Sequence, residues 1–343
     1  MTDTAINIAI KAVARREELD ALVLEQAFSS ILDGEAAAEE IGALLTGLAV
    51  RGETSSELIA GARAMRAAGR RHVVDGPLLD TCGTGGLTWT SLNTSTAAAI
   101  VIAGAGGHVA KHGNRSVPPK TGSADVLETL GVNIDIDDQT FRNCLDEVGV
   151  AFMFAPSHHN AMRHVAPIRK KLGIRTIFNL LGPLTNPAGA QHQIIGVFAS
   201  EWVRPMAEAL RALGTMHALI VHGVDGIDEI SVSGDTLVAE IGHGEINEYT
   251  LTPGMMGLRP SPLSALTGRS PEHNAEAIRA LLGGEEGPFK DIVCANAGAG
   301  LYVLREAESI ASGVTLANEA IASGRAAQTL ERLIAVSNGE AVE

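Results

Sequence analysis

The amino-acid sequence predicts an α/β fold in which a small N-terminal helical domain precedes a large domain with a central, mostly parallel sheet flanked by helices. Three observations support this prediction. About the first seventy residues show only helical periodicity, short apolar runs alternate with helical stretches from about residue 76, and 38 of the 343 residues are glycine. Alternating strands and helices are typical of a parallel sheet covered on both faces.

The N-terminal segment has apolar residues at the spacing of amphipathic helices. Stop signals at Asp33-Gly34 and Arg51-Gly52, and a cap-like run at Thr54-Ser55-Ser56, separate the helical stretches. There are four such stretches: INIAIKAVARREEL, ALVLEQAFSSIL, AAAEEIGALLTGLAV and ELIAGARAMRAAG. We therefore predict a helical domain over residues 1–74. The helical segment from Asn160 to Leu181 is expected to pack back on it, so that about residues 160–190 complete the domain.

The rest of the chain supplies the strands of the sheet. Six apolar runs qualify: PLLDTC, HVAKHG, VAFMFAP, HQIIGVF, MHALIVHG and TLVAEI. The stretches between them, such as STAAAIVIAGAGG, DDQTFRNCLDEVG and VRPMAEALRALG, have helical spacing, and Ser95 is positioned to cap the first. We predict that residues 75–159 and 191–343 form the α/β domain.

Composition excludes several classes of protein. A formal net charge of −14 and 3% aromatic residues disfavour a nucleic-acid binder, which would usually be basic with aromatic side chains for base stacking. Cys82, Cys144 and Cys294 are odd in number and widely spaced, so we expect neither a disulfide framework nor a zinc site. The N-terminus lacks a signal-peptide layout, and the longest apolar run, residues 97–107, is far shorter than the ~20 residues that span a bilayer. We expect a soluble, cytoplasmic protein.

A glycine-rich loop, Gly83-Thr84-Gly85-Gly86, lies between a predicted strand and a predicted helix. Glycines at such a turn let backbone N–H groups converge on an anion next to the positive end of the helix. The loop does not fit the dinucleotide-binding fingerprint, because Thr88 occupies the third glycine position. A tight turn with an ordinary N-cap is the alternative, but a phosphate site is favoured. Polar residues at the helix entry support it: Asn93, Ser95 and Thr96. We call these residues and the loop the first anion site.

The stretch KHGNRSVPPKTGSADVLETLG, residues 111–131, forms a second anion site thirty residues further on. It begins at the carboxyl end of a predicted strand, where ligands bind in open α/β sheets. Lys111, Arg115 and Lys120 place three cations beside glycines, and Ser123 begins another helix. A solvated basic loop is the alternative. Two anion sites at one edge of a sheet make this alternative the weaker interpretation.

Two further stretches carry candidate binding residues. In SHHNAMRHVAPIRKK, His159 and Arg169 are ten residues apart on a predicted helical segment, and a guanidinium is suited to a planar carboxylate. Taken alone, a surface arginine and a structural histidine would be favoured. Asp228 and Glu229 follow the strand MHALIVHG and could hold Mg²⁺ beside substrate phosphates, provided that they lie in an irregular loop. An ordinary acidic turn is the alternative.

Taken together, these stretches resemble the anthranilate phosphoribosyltransferases. The resemblance rests on motifs in order along the chain: GTGG, NTSTAA, KHGNR, KTGSADVLETLGV, FAPSHH, APIRKKLGIRTIFNLLGPLTNP and DGIDEIS. Pyrimidine nucleoside phosphorylases share the fold, but KHGNR together with the long LGIRTIFNLLGPLTNP run points to the anthranilate enzymes. The resemblance implies transfer of 5-phosphoribosyl from phosphoribosyl pyrophosphate (PRPP) to the amine of anthranilate, the second step of tryptophan synthesis from chorismate.

The resemblance also implies a role for each matching residue. PRPP would contact Gly83, Thr84, Gly85, Gly86, Thr88, Asn93, Ser95, Thr96, Lys111, Asn114, Arg115, Lys120 and Ser123. Anthranilate would contact Gly83, His112, Asn114, His159, Arg169, Gly182 and Pro183. Ser95, Asp228 and Glu229 would bind magnesium, with two ions per subunit, and the subunits would form a homodimer. Lys111, Asn114 and Arg169 would act by electrostatics and positioning, without a general base.

The chain departs from the family pattern at two places. Leu87 and Thr88 replace the Asp and Gly of the usual GTGGDG, which removes an acidic residue beside the pyrophosphate. Pro118-Pro119 replaces two serines, which removes hydroxyls and backbone donors from the second anion site. Two alternative functions follow: a transferase or phosphorylase with another acceptor, or a non-catalytic nucleic-acid-binding paralogue. The net charge and the intact Asp228-Glu229 pair argue against the latter.

Overall fold

The computed structural model describes residues 3–85, 89–116 and 121–340. Six residues that carry sequence predictions lie outside these ranges: Gly86, Leu87, Thr88, Pro118, Pro119 and Lys120. Four helices form the N-terminal part, as predicted: α1 (Ala5–Ala14), α2 (Ala21–Leu32), α3 (Ala38–Arg51) and α4 (Ser55–Ala68). Their starts follow from capping, since Asp20 accepts the N–H groups of Leu22 and Val23, and Thr54 forms a capping box with Glu57.

A seven-stranded sheet forms the centre of the α/β part. Its strands are β1 (Leu79–Gly83), β2 (Val109–Gly113), β3 (Val150–Phe154), β4 (His192–Gly196), β5 (His217–Gly223), β6 (Thr236–Gly242) and β7 (Glu245–Leu251). The spatial order is β3-β2-β1-β4-β5-β6-β7, with β1 to β5 parallel and β6 and β7 antiparallel. The six predicted strands are confirmed. The seventh was not predicted, because EINEYTL is polar and largely exposed and lacks an apolar run.

Further helices follow between and after the strands. They are α5 (Thr94–Gly104), α6 (Ser123–Leu130), α7 (Asp138–Asn143), α8 (Ala155–His158), α9 (Ala166–Leu172), α10 (Phe178–Leu181), α11 (Val203–Ala212), α12 (Pro271–Leu282), α13 (Pro288–Val303), α14 (Ile310–Ala322) and α15 (Arg325–Ser337). Nearly every residue of α5 is buried, and α13 is buried almost as completely. No helix in the described ranges combines the length and apolar composition needed to cross a bilayer.

Two details of the sequence prediction were wrong. Asn93, not Ser95, is the N-cap of α5, and Ser95 lies in the first turn. The segment 160–181 is not one helix, because α9 begins at Ala166, with Pro167 in its first turn, and Gly173 ends it in a left-handed conformation. His159 lies after α8 in a non-helical conformation, so His159 and Arg169 do not share a helical segment.

The segment 160–181 does pack back on the N-terminal helices. Val165, Ile177, Phe178 and Leu181 lie in the same core as α1 to α4, and the rings of Phe28 and Phe178 meet edge to face at 5.9 Å. This core continues across one face of the sheet through residues of β4, β5, β6 and α11. The division of the chain at residue 74 therefore stays a prediction.

The crossing of α13 and α14 depends on glycine. A Cβ on Gly313 would overlap the carbonyl oxygen of Gly298, whereas a Cβ on Gly42 in α3 would meet nothing within 4 Å. We expect Gly313→Ala to destabilise the protein by about 1–3 kcal/mol through overpacking. Gly42→Ala should instead stabilise it by about 0.5–1 kcal/mol, because it removes a flexible residue from a helix. Urea unfolding of both variants measures this, and equal effects would contradict the packing explanation.

Candidate active site

The candidate site lies at the carboxyl ends of β1 and β4. The chain leaves β1 towards β2 on one side, while β4 adds on the other, so this is the switch point where open α/β sheets bind ligands. The two strands end in register at Gly83 and Gly196. A Cβ on Gly196 would overlap the backbone carbonyl of Asp228, and one on Gly83 would lie 2.6 Å from the Asp228 carboxylate. The bare strand ends therefore admit the loop that follows β5.

That loop brings both predicted metal carboxylates to the first anion site. The Gly85 N–H donates to Asp228 Oδ2 at 3.2 Å, and the Ser95 N–H donates to Glu229 Oε1 at 3.2 Å. Asp228 and Glu229 lie in irregular backbone between β5 and β6, which is why adjacent side chains reach one place. Thr84 has a structural task here: its N–H donates to the Gly196 carbonyl and its hydroxyl accepts the Phe198 N–H.

Lys111 on β2 supplies a buried cation. Its ammonium donates to the Thr81 carbonyl and, at 3.3 Å, to the Ser95 hydroxyl. Burial lowers the pKa of Lys111, while the Asp80 and Glu229 carboxylates raise it. Burial in turn raises the pKa of Asp80, and the Lys111 ammonium opposes that shift. The site thus holds one buried cation among several carboxylates.

This donor set fits magnesium. Burial and the neighbouring Asp228 raise the pKa of Glu229 to about 8, so further positive charge beside it would stabilise the carboxylate. Mg²⁺ prefers oxygen ligands and is usually held by one or two carboxylates together with substrate phosphates. Asp228, Glu229 and the Ser95 hydroxyl provide such oxygens. In the described ranges no cluster of three or more His, Cys, Asp or Glu side chains could hold a metal.

The remaining described residues of the first anion site differ in their contacts. The Asn93 amide donates to the Thr121 carbonyl at 3.2 Å and accepts from the Asn274 amide at 2.8 Å. The Thr96 hydroxyl is buried and has no hydrogen-bond partner among the described residues. A buried hydroxyl without a partner is costly unless a ligand or water satisfies it, and this supports its predicted place at the pyrophosphate.

The second anion site is only partly as expected. Arg115 is exposed and pairs with Glu128 and, at 3.2 Å, with Asp125, so carboxylates already offset its charge. The carbonyl of Asn114 accepts the Ser123 hydroxyl at 3.4 Å, and Asn114 Oδ1 accepts the Arg115 N–H. Contact of these residues with PRPP stays a prediction.

Two buried histidines, both predicted to contact anthranilate, lie next to each other. The rings of His112 and His159 meet edge to face at 5.1 Å. The Nε2 atom of each ring is buried without a hydrogen-bond partner in the described ranges. Burial, with the neighbouring imidazoles, lowers the pKa of His112 to about 3 and that of His159 to about 4. Both rings are therefore neutral near pH 7 and present unsatisfied polar atoms to a ligand.

Arg169 lies on α9, and its described contacts are with Asn179 and Phe178 rather than with either histidine. Its guanidinium donates to Asn179 Oδ1 at 3.2 Å and lies 5.8 Å from the centre of the Phe178 ring. Burial lowers its pKa, and within the described residues no carboxylate lies within 4.0 Å of it. Gly182 and Pro183 follow α10, and the Pro183 carbonyl accepts the Gln193 amide at 2.9 Å.

Sequence reasoning missed several residues that hold this site together. Asp80 is fully buried on β1, and its Oδ1 accepts the His112 N–H at 3.0 Å. A carboxylate inside the apolar run PLLDTC was a signal for it, since buried carboxylates are rare unless paired. Asn274 gave no comparable signal, because its partners Ser91 and Asn93 are remote in sequence. Asn179 was overlooked although its partners Arg169 and Thr176 are near it in sequence.

The two histidines give a prediction about stability. Their folded-state pKa values lie below the ordinary value of 6.5, so the unfolded chain binds more protons between that value and about 4. Stability should therefore be complete above pH 6.5 and fall on acidification, by at most about 1.4 kcal/mol per pH unit for each ring. Urea unfolding between pH 4 and 7 should show a shallower slope for His112→Asn than for the exposed-site control His108→Asn. Identical slopes would contradict burial of a neutral ring.

The chain resembles known proteins over nearly its whole length. It matches the glycosyl transferase family, helical bundle domain, over residues 8–69, and the glycosyl transferase family, a/b domain, over residues 75–327. It is 61% identical to the anthranilate phosphoribosyltransferase of Hyphomonas neptunium, a match that covers 98% of this chain and 99% of that one.

Solved structures agree with these matches. The crystal structure of the Thermus thermophilus anthranilate phosphoribosyltransferase superimposes with a TM-score of 0.91 at 46% identity, covering 96% of this chain and 99% of that chain. The Saccharomyces cerevisiae enzyme in complex with PRPP and Mg superimposes with a TM-score of 0.89 at 27% identity, covering 98% and 99%. The chain therefore belongs to the anthranilate phosphoribosyltransferase family.

Proposed function

We propose that the residues at the carboxyl ends of β1 and β4 catalyse transfer of the 5-phosphoribosyl group from PRPP to the amine of anthranilate. The observation that carries the proposal is the convergence of Lys111, Ser95, Asp228 and Glu229 on one sheet edge. The reaction breaks the C1–O bond to pyrophosphate and forms a C1–N bond. Negative charge therefore grows on the leaving pyrophosphate while the ribose becomes cationic. The residues of the site are suited to stabilise the negative charge on the pyrophosphate.

The leaving pyrophosphate is assigned to the first anion site. The amino end of α5 would supply donors, and the buried Thr96 hydroxyl, which has no hydrogen-bond partner in the described ranges, would supply another. Lys111 holds the Ser95 hydroxyl, and so orients it towards the same place. We further propose contacts of PRPP with Asn114, Arg115 and Ser123 of the second anion site.

Magnesium is the cofactor, and we propose two ions per subunit held by Asp228, Glu229 and Ser95. When bound, the metal neutralises charge on the pyrophosphate. The two carboxylates support the count, because Asp228 faces Gly85 whereas Glu229 faces Ser95. Hydrogen bonds on either side of Asp228 and Glu229 hold the loop that carries them. Asp225 accepts the Ser231 hydroxyl at 2.5 Å, and the Asn296 amide bonds both the N–H and the carbonyl of Ile230.

Anthranilate is assigned to the side of the site that holds His112, His159, Gly182 and Pro183. An aromatic amine is largely unprotonated near pH 7, so neutral imidazoles can orient it by hydrogen bonds and no strong base is needed. Arg169 is proposed to bind the carboxylate, because its half-buried guanidinium has no carboxylate partner in the described ranges. A phosphorylase or a transferase with an uncharged acceptor would not need a cation at this position to bind its acceptor.

Three broader features are proposed as well. A homodimer is supported by exposed apolar side chains on the N-terminal helices: Ile8, Leu22 and Val50. A cytoplasmic location is supported by three free cysteines. A helical domain of residues 1–74 with about 160–190 would close on the α/β domain of residues 75–159 and 191–343, bringing the amine to C1.

Replacing Arg169 tests the acceptor. With PRPP and Mg²⁺, the wild-type protein should consume anthranilate. The decrease in anthranilate fluorescence measures this reaction. Arg169→Ala should raise the KM for anthranilate about 10–100-fold, as expected for loss of a charge-assisted contact, with little change in the KM for PRPP.

Anthranilamide, which lacks the carboxylate, is the matched probe for this prediction. It should be a poor substrate for the wild type and an equally poor one for Arg169→Ala. Lys170→Ala, on the exposed face of the same helix, is the control. Unchanged discrimination between acid and amide in Arg169→Ala would assign the carboxylate to another residue.

Replacing the carboxylates tests the metal site. Asp228→Asn and Glu229→Gln keep the shape of each side chain and remove its charge. Each should raise the Mg²⁺ concentration needed for PRPP binding by at least about tenfold, measured by titration calorimetry. Glu245→Gln, at an exposed position on β7, should leave it unchanged. Tight PRPP binding by Glu229→Gln at low Mg²⁺ would remove Glu229 from the metal site.

A further inference from the structure

A buried asparagine in the first turn of α12 lies next to both anion sites. Asn274 is fully buried, and all of its amide is used. Its Oδ1 accepts the Arg269 N–H at 2.9 Å, while its Nδ2 donates to the Ser91 carbonyl at 3.1 Å and to Asn93 Oδ1 at 2.8 Å. The orientation of the amide is fixed, because a flip would turn Nδ2 towards an N–H donor and Oδ1 towards a carbonyl.

The contacts of Asn274 continue into a closed ring of hydrogen bonds. Asn93, bound by Asn274, donates through its own Nδ2 to the Thr121 carbonyl at 3.2 Å. The Thr121 hydroxyl donates to the Arg269 carbonyl at 2.7 Å, and the Arg269 N–H returns to Asn274. Asn93 belongs to the first anion site and Thr121 to the second. The ring therefore joins the two sites through residues 269–274, which belong to neither.

The segment before Asn274 is itself held firmly. Residues 266–268 run antiparallel to residues 90–92, with Leu92 N–H donating to Leu266 and Gly268 N–H to Thr90. A side chain at Gly268 would overlap the Ser91 carbonyl. Arg269 and Asn274 thus extend a paired backbone segment, and the ring rests on a rigid support.

We propose that Asn274 is a positioning residue that couples the two anion sites, so that they bind the two ends of PRPP as one unit. The proposal rests on the proposed function. PRPP carries a pyrophosphate and a separate 5-phosphate, and two sites held at a fixed separation bind such a ligand without an ordering cost at the moment of binding. Asn274 acts through Asn93 and Thr121 and needs no contact with the substrate.

Two variants test the coupling from opposite sides of the ring. Asn274→Ala removes its centre, and Thr121→Val removes the hydroxyl that reaches Arg269 while keeping the shape of the side chain. Each should raise the KM for PRPP about tenfold, as expected for loss of buried hydrogen bonds, with kcat and the KM for anthranilate nearly unchanged. Asn318→Ala, which removes a half-buried amide bonded only within α14, is the matched control.

Inorganic pyrophosphate with Mg²⁺ is the decisive probe, because it occupies only the first anion site. Thr121→Val should weaken its inhibition severalfold although Thr121 belongs to the second anion site. Unchanged inhibition by pyrophosphate would overturn the coupling. Multiplicative effects of Asn274→Ala and Thr121→Val on the KM for PRPP in the double variant would also overturn it, since substitutions within one hydrogen-bond network are not additive in free energy.

Thermal unfolding without ligand checks that each variant is folded. If Asn274→Ala does not fold, the result for Thr121→Val decides the test. If the wild type transfers phosphoribosyl to anthranilate normally and the variants do the same, only the coupling is refuted. If the wild type is inactive, the proposed function is refuted.

Discussion

The whole site depends on the close approach of the Asp228 backbone to the end of β4. Gly196 leaves no room for even a methyl group there, and Gly83 on β1 is almost as restricted. Because both strand ends are bare, the loop after β5 crosses them and delivers two adjacent carboxylates to the amino end of α5. Any side chain at Gly196 would move this loop, and with it the charges around which the anion site is organised.

The arrangement of charges at the site favours the binding of further positive charge. Lys111 is the buried cation, whereas Asp80, Asp228 and Glu229 lie close by, and the pKa of Glu229 is raised to about 8. Burying carboxylates is costly unless cations accompany them. A magnesium–pyrophosphate complex would supply metal charge to the carboxylates and phosphate oxygens to the amino end of α5. Substrate and metal are thus expected to stabilise this arrangement of the loop together.

The sequence predicted elements and loops well, and the links between them poorly. Apolar periodicity sufficed for α1 to α4 and β1 to β6, and the structure meets the condition that Asp228 and Glu229 lie in an irregular loop. The polar strand β7 was not predicted, because most of its side chains are exposed or only partly buried. Asn274 escaped notice because it bonds Ser91 and Asn93, 183 and 181 positions away in sequence. Such pairings depend on how elements pack, which local patterns do not encode.

The two halves of the site differ in charge, and the difference suits the two substrates. Under the proposed function, the half of the site that holds the pyrophosphate contains Lys111, Asp228 and Glu229. In the half proposed for the acceptor, burial keeps His112 and His159 uncharged near pH 7, so neither would compete with Lys111 for phosphate oxygens or repel a metal ion. The cation Arg169 lies on a different element, α9. Under the proposed function, Arg169 would hold the acid group of the acceptor, so that the neutral amine would be left free to react with the ribose.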